Sequence, residues 1–361
     1  VKKLPAVYVI LSLVLASCSK SGTGPGFILT PDRKAALERA ADSVFMTVNV
    51  PGMIAMVSAE GEKDYIIRRG VSNLAYAEPM DVNQYFRIAS NTKTFTGAAV
   101  LILADEGKIS LDSSISSYLP QYNIPNGNSI TVRMLGNMTS GLFNYTEDQS
   151  MWISYNASNF LMAFPPDSLL AIAFRHPVNN PPGVAYDYCN TNVVLLGLLL
   201  EKITAKPASQ VIQEKVIAPM HLGHTYWPSG LFLLSPYMHG YNSQYGELMD
   251  ATNRNPSWGY SAGMLVSTIP DMKIWAKAVA DGSLLSTNMK AERFRWVEDQ
   301  YGFCVRKIGN WVGHSGTYDG YNSHMLYHSG KKITLIIVVN MDTGHPVDIF
   351  SAAFRRILEQ E

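Results

Sequence analysis

From position 32 onward the apolar residues follow two rhythms. Ala36, Leu37, Ala40, Val44 and Val48 recur at three- and four-residue intervals and predict a helix over 32–48, which Pro51-Gly52 ends. Runs of apolar residues over 53–58 and 65–69 then predict two strands joined at Glu60-Gly61-Glu62-Lys63, a hairpin. A second helix is predicted from Ser90 to about Glu106, with Phe95, Ala98, Ala99, Ile102 and Leu103 as its apolar set and Gly107 as its stop. Between 110 and 249 the pattern is helices and long loops, punctuated by Pro120, Pro125, Pro165, Pro166, Pro177, Pro181, Pro182 and Pro219; the firmest element there is a helix over 193–203. Strand-like runs return after Tyr260. Those over 325–328 and 333–340 form a second hairpin at Ser329-Gly330-Lys331, and an amphipathic helix over 347–360 follows, with Ile349, Phe350, Ala353, Phe354 and Ile357 on its apolar face.

Helix and strands at one end, strands and helix at the other and a helical insert over about 95–250 predict an α/β chain of the α+β type. One sheet is assembled from both ends and carries the terminal helices. The core domain is expected to span 31–361. Ahead of it, Lys2 and Lys3 precede an apolar run from Leu4 to Ala16, the form of an export signal over 1–17. Leu15-Ala16-Ser17-Cys18 resembles a bacterial lipoprotein signal, so Cys18 is the expected lipidation point and 18–30 a Ser/Gly-rich tether. The expected location is outside the cytoplasm, membrane-anchored and facing the cell wall, with plain secretion as the alternative.

Charge narrows the partners. The 29 basic and 29 acidic residues cancel, and no long basic run exists, which argues against nucleic acid. No Gly-x-Gly-x-x-Gly follows a strand, since Gly22-Thr-Gly-Pro-Gly26 belongs to the tether, and no Cys/His cluster has zinc spacing. Neither a cofactor nor a metal is expected. Cys189 and Cys304 are expected to be buried free thiols.

Three short motifs carry candidate chemistry. In Ser90-Asn-Thr-Lys93 the serine and lysine share a helix face, so the amine can take the hydroxyl proton and make a nucleophile. Tyr188-Cys-Asn190 follows a Pro-Gly turn. A phenol beside a cation loses its proton more readily and can act as base toward Ser90 or as acid toward a leaving group, and Asn190 offers an amide to Lys93 or to substrate. His314-Ser-Gly316-Thr317 reads as a strand with glycines where something approaches the backbone closely. Its edge can pair with an extended substrate, the N–H groups of Ser90 and Thr317 are the candidate oxyanion donors, and His314 is expected on the cleft wall.

In this order, about 100 and about 125 residues apart, the motifs resemble those of the penicillin-recognising serine hydrolases, which include class C beta-lactamases, DD-peptidases and related esterases. The blocks around Phe86–Lys93, Leu103–Asp112, Tyr186–Asn192 and Ser261–Thr268 are most similar to the secreted D-alanyl-D-alanine carboxypeptidases/transpeptidases of Streptomyces. The resemblance implies a beta-lactamase/transpeptidase-like fold with an antiparallel sheet. It makes Ser90 the acylated nucleophile and Lys93 and Tyr188 its proton handlers, with the base left open between them. Asn190 would orient Lys93, and His314 stands where class C beta-lactamases carry lysine. Gly316, Thr317, Arg306 and Trp258 would bind substrate, with Arg306 on the terminal carboxylate. The segment Asp148–Trp152 lacks the family's cleft phenylalanine, with Trp152 as candidate replacement. The implied function is a serine D-alanyl-D-alanine carboxypeptidase acting on cell-wall peptides and acylated by beta-lactam antibiotics. An esterase, a D-amino-acid amidase or a beta-lactamase on the same scaffold is the alternative. A penicillin-sensing or wall-binding lipoprotein is the reading without catalysis.

Overall fold

The computed structural model describes residues 27–244 and 247–360. The expected export signal, Cys18 and most of the tether lie outside the described residues.

Eight antiparallel strands form the main sheet: β1 (Gly52–Ala59), β2 (Tyr65–Asn73), β3 (Glu78–Pro79), β4 (Tyr301–Gly302), β5 (Val305–Ile308), β6 (Trp311–Tyr318), β7 (Tyr321–His328) and β8 (Ile333–Val339). Their order across the sheet is β3-β2-β1-β8-β7-β6-β5-β4. The two chain ends meet where β1 pairs with β8, Met53 opposite Val339 through Ala59 opposite Ile333. Both strands are buried along their whole length, and the two-residue period sorts their side chains into two cores. Met53, Ala55, Val57, Leu335, Ile337 and Val339 face one core, whereas Ile54, Met56, Ile336 and Val338 face the other.

The first core is closed by α1 (Pro31–Val48) and, from the other end of the chain, α6 (Pro346–Glu359). Thr30 caps α1 by accepting from the Arg33 N–H, Pro31 occupies the first turn, and Asn49 ends the helix in the left-handed region at φ 47°. Leu37, Ala41 and Val44 of α1 and Phe350, Phe354 and Leu358 of α6 lie in that core.

The opposite core holds the helical region. Here α2 (Thr92–Asp105), α3 (Gln149–Ala157), α4 (Asn190–Thr204) and α5 (Ile269–Asp281) matter for the site. Residues 191–200 of α4 and nearly every residue of α2 are buried, as expected of helices packed on all sides. The expectation of strand-like runs after Tyr260 holds mainly from Tyr301. Ahead of it lies α5, where Ile269, Met272, Trp275, Ala276 and Val279 recur at helical spacing, with Pro270 in the first turn and Gly282 closing the end at φ 67°. Cys189 and Cys304 are both buried and unpaired.

Candidate active site

Ser90 sits in a single 3-10 turn, Ala89–Asn91, that leads into α2. Ala89 holds φ 51°, a left-handed conformation that costs a residue with a Cβ about 1–2 kcal/mol. The surroundings hold the turn in place: the Ile88 N–H donates to the Leu265 carbonyl at 3.0 Å, and Asn91 Nδ2 donates to the Ile88 carbonyl at 2.8 Å and to Ser323 Oγ at 3.0 Å. β6 runs directly alongside. A Cβ on Gly316 would stand 2.3 Å from the Ile88 carbonyl oxygen, so only glycine lets the strand approach the nucleophile turn this closely. β5 pairs with β6 only at Trp311–Gly313, so residues 314–318 pair only with β7 and run past the end of β5.

Lys93 Nζ lies 2.8 Å from Ser90 Oγ and 2.8 Å from the Ala262 carbonyl oxygen. That carbonyl belongs to the short turn Tyr260–Gly263, clamped between helices: Thr96 Oγ1 donates to the Ser261 carbonyl, and Ser261 Oγ donates to the Val193 carbonyl on α4. Among the described residues no carboxylate compensates the fully buried amine, and burial pulls its pKa from 10.5 down to about 7. The Tyr188 ring faces it, with Nζ 5.1 Å from the ring centroid. Burial pushes the Tyr188 phenol well above its ordinary value, with the Ser90 hydroxyl as a hydrogen-bonding neighbour that pulls it the other way. A cation-induced phenolate was expected. The direction is reversed because desolvation outweighs the pulls of the Ser90 hydroxyl and the Arg306 charge.

Asn190, His314 and Gly316 also stand differently from expectation. Asn190, the first residue of α4, does not reach Lys93: its Nδ2 donates to Thr146 Oγ1 at 3.0 Å, and its N–H donates to Asn144 Oδ1. The Ala262 carbonyl orients the lysine instead. His314 is not on the cleft wall but buried behind it, 1 % exposed. Its Nδ1 faces the Ser315 carbonyl at 2.6 Å and so carries the proton, which leaves Nε2 to accept from the Tyr301 hydroxyl at 3.0 Å. Burial drives its pKa well below 6.5, so the ring is neutral beside Tyr188 and Lys93.

Strand alternation explains the difference. Residues 312, 314, 316 and 318 face the helical core, whereas Ser315 and Thr317 face the side of α6. The cleft, about 370 Å³, therefore wraps over the edge of β6. On the helical side Ser90, Tyr188, Asn190, Tyr145, Trp152 and Trp258 line it. Trp258 stacks flat on Tyr318 at 4.1 Å, and Trp152, on α3, meets Trp258 edge-on at 5.1 Å. On the other side Arg306 Nη1 donates to Ser315 Oγ at 3.1 Å, and Thr317, Asn322, His345 and Asp348 complete the wall. Gly316 lines no part of the cleft; it serves by its closeness to Ile88. Sequence reasoning gave no role to Tyr301, Ala262, Thr146 or Asp348. The Ser261–Thr268 block, which holds Ala262, and Tyr301-Gly302 carried a signal only as part of the resemblance.

Sheet, helical region and motif geometry define a serine hydrolase scaffold. The Beta-lactamase family profile matches residues 37–360, and the chain belongs to that family. Among solved structures it is similar to a D-stereospecific amidohydrolase from Streptomyces sp., with TM-score 0.80 and 26% identity over 89% of this chain and 98% of that one. It also shares its fold with the D-amino acid amidase from Ochrobactrum anthropi SV3, with TM-score 0.76 and 23% identity over 90% and 99% of the two chains. Protein flp of Staphylococcus aureus (strain COL) is 23% identical over 331 residues, 88% of this chain and 65% of that protein, so the chain spans about two thirds of that relative's length.

Proposed function

We propose that the protein is a serine D-alanyl-D-alanine carboxypeptidase working through an acyl-enzyme at Ser90. The observation that carries this reading is the Arg306–Ser315 pair, a receptor for a carboxylate, in the same cleft as a serine whose hydroxyl lies 2.8 Å from a lysine amine that titrates near neutral pH.

Ser90 Oγ attacks the carbonyl between the last two residues and passes its proton to neutral Lys93. The carbonyl oxygen becomes an oxyanion held by the N–H groups of Ser90 and Thr317. Tyr188 gives its proton to the leaving amine as the C–N bond breaks, and Lys93 returns the proton it took to the phenolate. Water then attacks the acyl-enzyme and Ser90 leaves with a proton. A beta-lactam follows the same first half, but its ring-opened amine stays tethered to the acyl group and delays the water.

D-alanine release from an acyl-D-alanyl-D-alanine peptide tests the reading, with the matching acyl-D-alanine amide run in parallel. Faster cleavage of the free carboxylate form is expected. Cleavage of the amide alone would replace this reading with a D-amino-acid amidase, which the likeness to the D-stereospecific amidohydrolase favours.

A further inference from the structure

The cleft has a second charged group beyond Arg306 that acylation does not use. Asp348, in the first turn of α6, lines the same cavity with its side chain 64% exposed. It is fixed in place from beneath. His324 of β7 sits directly opposite Ser315 in the β6–β7 register, and its Nε2 lies 2.9 Å from Asp348 Oδ1. Ser315 in turn accepts from Arg306. The helix start is pinned to the same strands: Asn322 Oδ1 accepts from the Val347 N–H at 2.9 Å, Asn322 Nδ2 donates to Thr317 Oγ1 at 2.8 Å, and Thr317 Oγ1 lies 3.2 Å from His345 Nδ1.

Arg306, Ser315, His324 and Asp348 thus form one row on the side of the cleft that receives the leaving group. One end carries a positive charge and the other a negative one. The row is rigid, because strand register and helix capping set the spacing rather than long flexible side chains. Asp348 needs no such arrangement to serve its helix, since a carboxylate at this position favours the helix dipole wherever its second oxygen points. Among the described residues its side chain has one hydrogen-bond partner, His324, and no lysine or arginine lies within ion-pair distance, so Arg306 acts on the carboxylate only at longer range. A leaving group bearing only a carboxylate would satisfy Arg306 and leave Asp348 facing it across the cleft.

We propose that Asp348 is the ammonium half of a zwitterion subsite, which selects a leaving D-amino acid with a cationic amine on its side chain. This rests on the carboxypeptidase reading above and names the leaving group that suits it. Arg306 and Ser315 hold the carboxylate of that residue, and Asp348 holds its side-chain ammonium. In the reverse direction the same row would hold a diamino acid whose free amine attacks the acyl-enzyme.

Four peptides that share one acyl-D-alanyl half and end in D-lysine, D-norleucine, Nε-acetyl-D-lysine or D-alanine test it on the unmodified protein. D-norleucine matches lysine in shape without the charge, and the acetylated lysine removes the charge without shortening the chain. The D-lysine peptide is expected to show kcat/KM about fivefold above the norleucine and acetyl-lysine peptides, as befits a partly exposed charge pair. Asp348→Asn is expected to bring that ratio to about one, and Asp348→Glu to restore part of it. Equal rates for lysine and norleucine would overturn the proposal while leaving the carboxypeptidase reading intact, as would a preference that survives Asp348→Asn. Release from none of the four, with Ser90 still acylated by benzylpenicillin, would overturn the carboxypeptidase reading and the subsite with it. Because the comparison of the four peptides needs no variant, a misfolded Asp348→Asn protein would not spare the proposal.

Discussion

Replacing Lys93 with methionine should move activity and stability in opposite directions. The amine titrates at about 7 in the fold instead of 10.5, chiefly because it is buried without a carboxylate partner. At pH 7 an ordinary lysine is neutral in only about one molecule in three thousand, whereas Lys93 is neutral in about one in two. This fraction limits acylation if Lys93 is the base, so the wild-type acylation rate should rise with pH through about 7 and level off above it. Methionine fills similar space but accepts no proton, and the rate should fall about 10³-fold, within the range of general-base catalysis. Stability follows from the same shift. The unfolded chain binds this proton between pH 7 and 10.5 and the folded chain does not, so wild-type stability rises with pH across that window and carries the full penalty below it. At about 1.4 kcal/mol per pKa unit the penalty is about 5 kcal/mol. Methionine removes it but forfeits the hydrogen bonds to Ser90 and to the Ala262 carbonyl, about 1 kcal/mol each. Lys93→Met should therefore be more stable than wild type by about 3 kcal/mol at pH 6, and less stable at pH 10.5. Intact-mass kinetics with benzylpenicillin and urea denaturation at both pH values read the two effects. Acylation by the variant within tenfold of wild type, or a flat pH profile from 6 to 8, would refute the reasoning.

Three further perturbations bear on separate parts of the account. Gly316→Ala places a methyl 2.3 Å from the Ile88 carbonyl and 2.8 Å from Asn91 Nδ2, so β6 must move off the nucleophile turn; a stability loss of about 1–3 kcal/mol and a larger proportional loss in acylation rate are expected, read by denaturation and by mass. Arg306→Gln should lower kcat/KM for a carboxylate-terminated peptide about 10- to 100-fold, with a smaller loss on a neutral ester; equal losses on both would count against a carboxylate role. Phe354→Ala opens a cavity between α6 and the sheet and should cost about 3–5 kcal/mol in urea, since Phe354 is fully buried.

What could be read in the chain follows how local each signal is. Ser90 and Lys93 are three residues apart on one helical stretch, so their meeting needs no tertiary information. α1 carries its own cap, α6 a proline in its first turn and a clear apolar period, and both hairpins carry their turns and periodicity within their own segments. α5 carried the same signals in Pro270 and Gly282, but its β-branched and aromatic residues read as strand when weighed without their spacing. The misplacement of His314 is also a matter of period: odd and even residues of β6 face different cores, and a motif read as a block hides that alternation. The partners of Lys93 and Asn190 were out of reach for a different reason. Ala262 is 169 residues from Lys93 and contributes a backbone oxygen, which no residue type announces. Thr146 and Asp348 enter the cleft only because loops and α6 fold against elements far away in sequence.

The central claim is that Ser90 carries the acyl group, and locating the bound acyl group tests it most directly. The protein is exposed briefly to benzylpenicillin, digested, and its peptides are mapped by mass, with D-alanine release from an acyl-D-alanyl-D-alanine peptide followed on the same preparation. The account predicts one penicilloyl group on the peptide that contains Ser90, none in Ser90→Ala, and D-alanine release that disappears with it. An adduct on any other residue, or D-alanine release that survives Ser90→Ala, would contradict it.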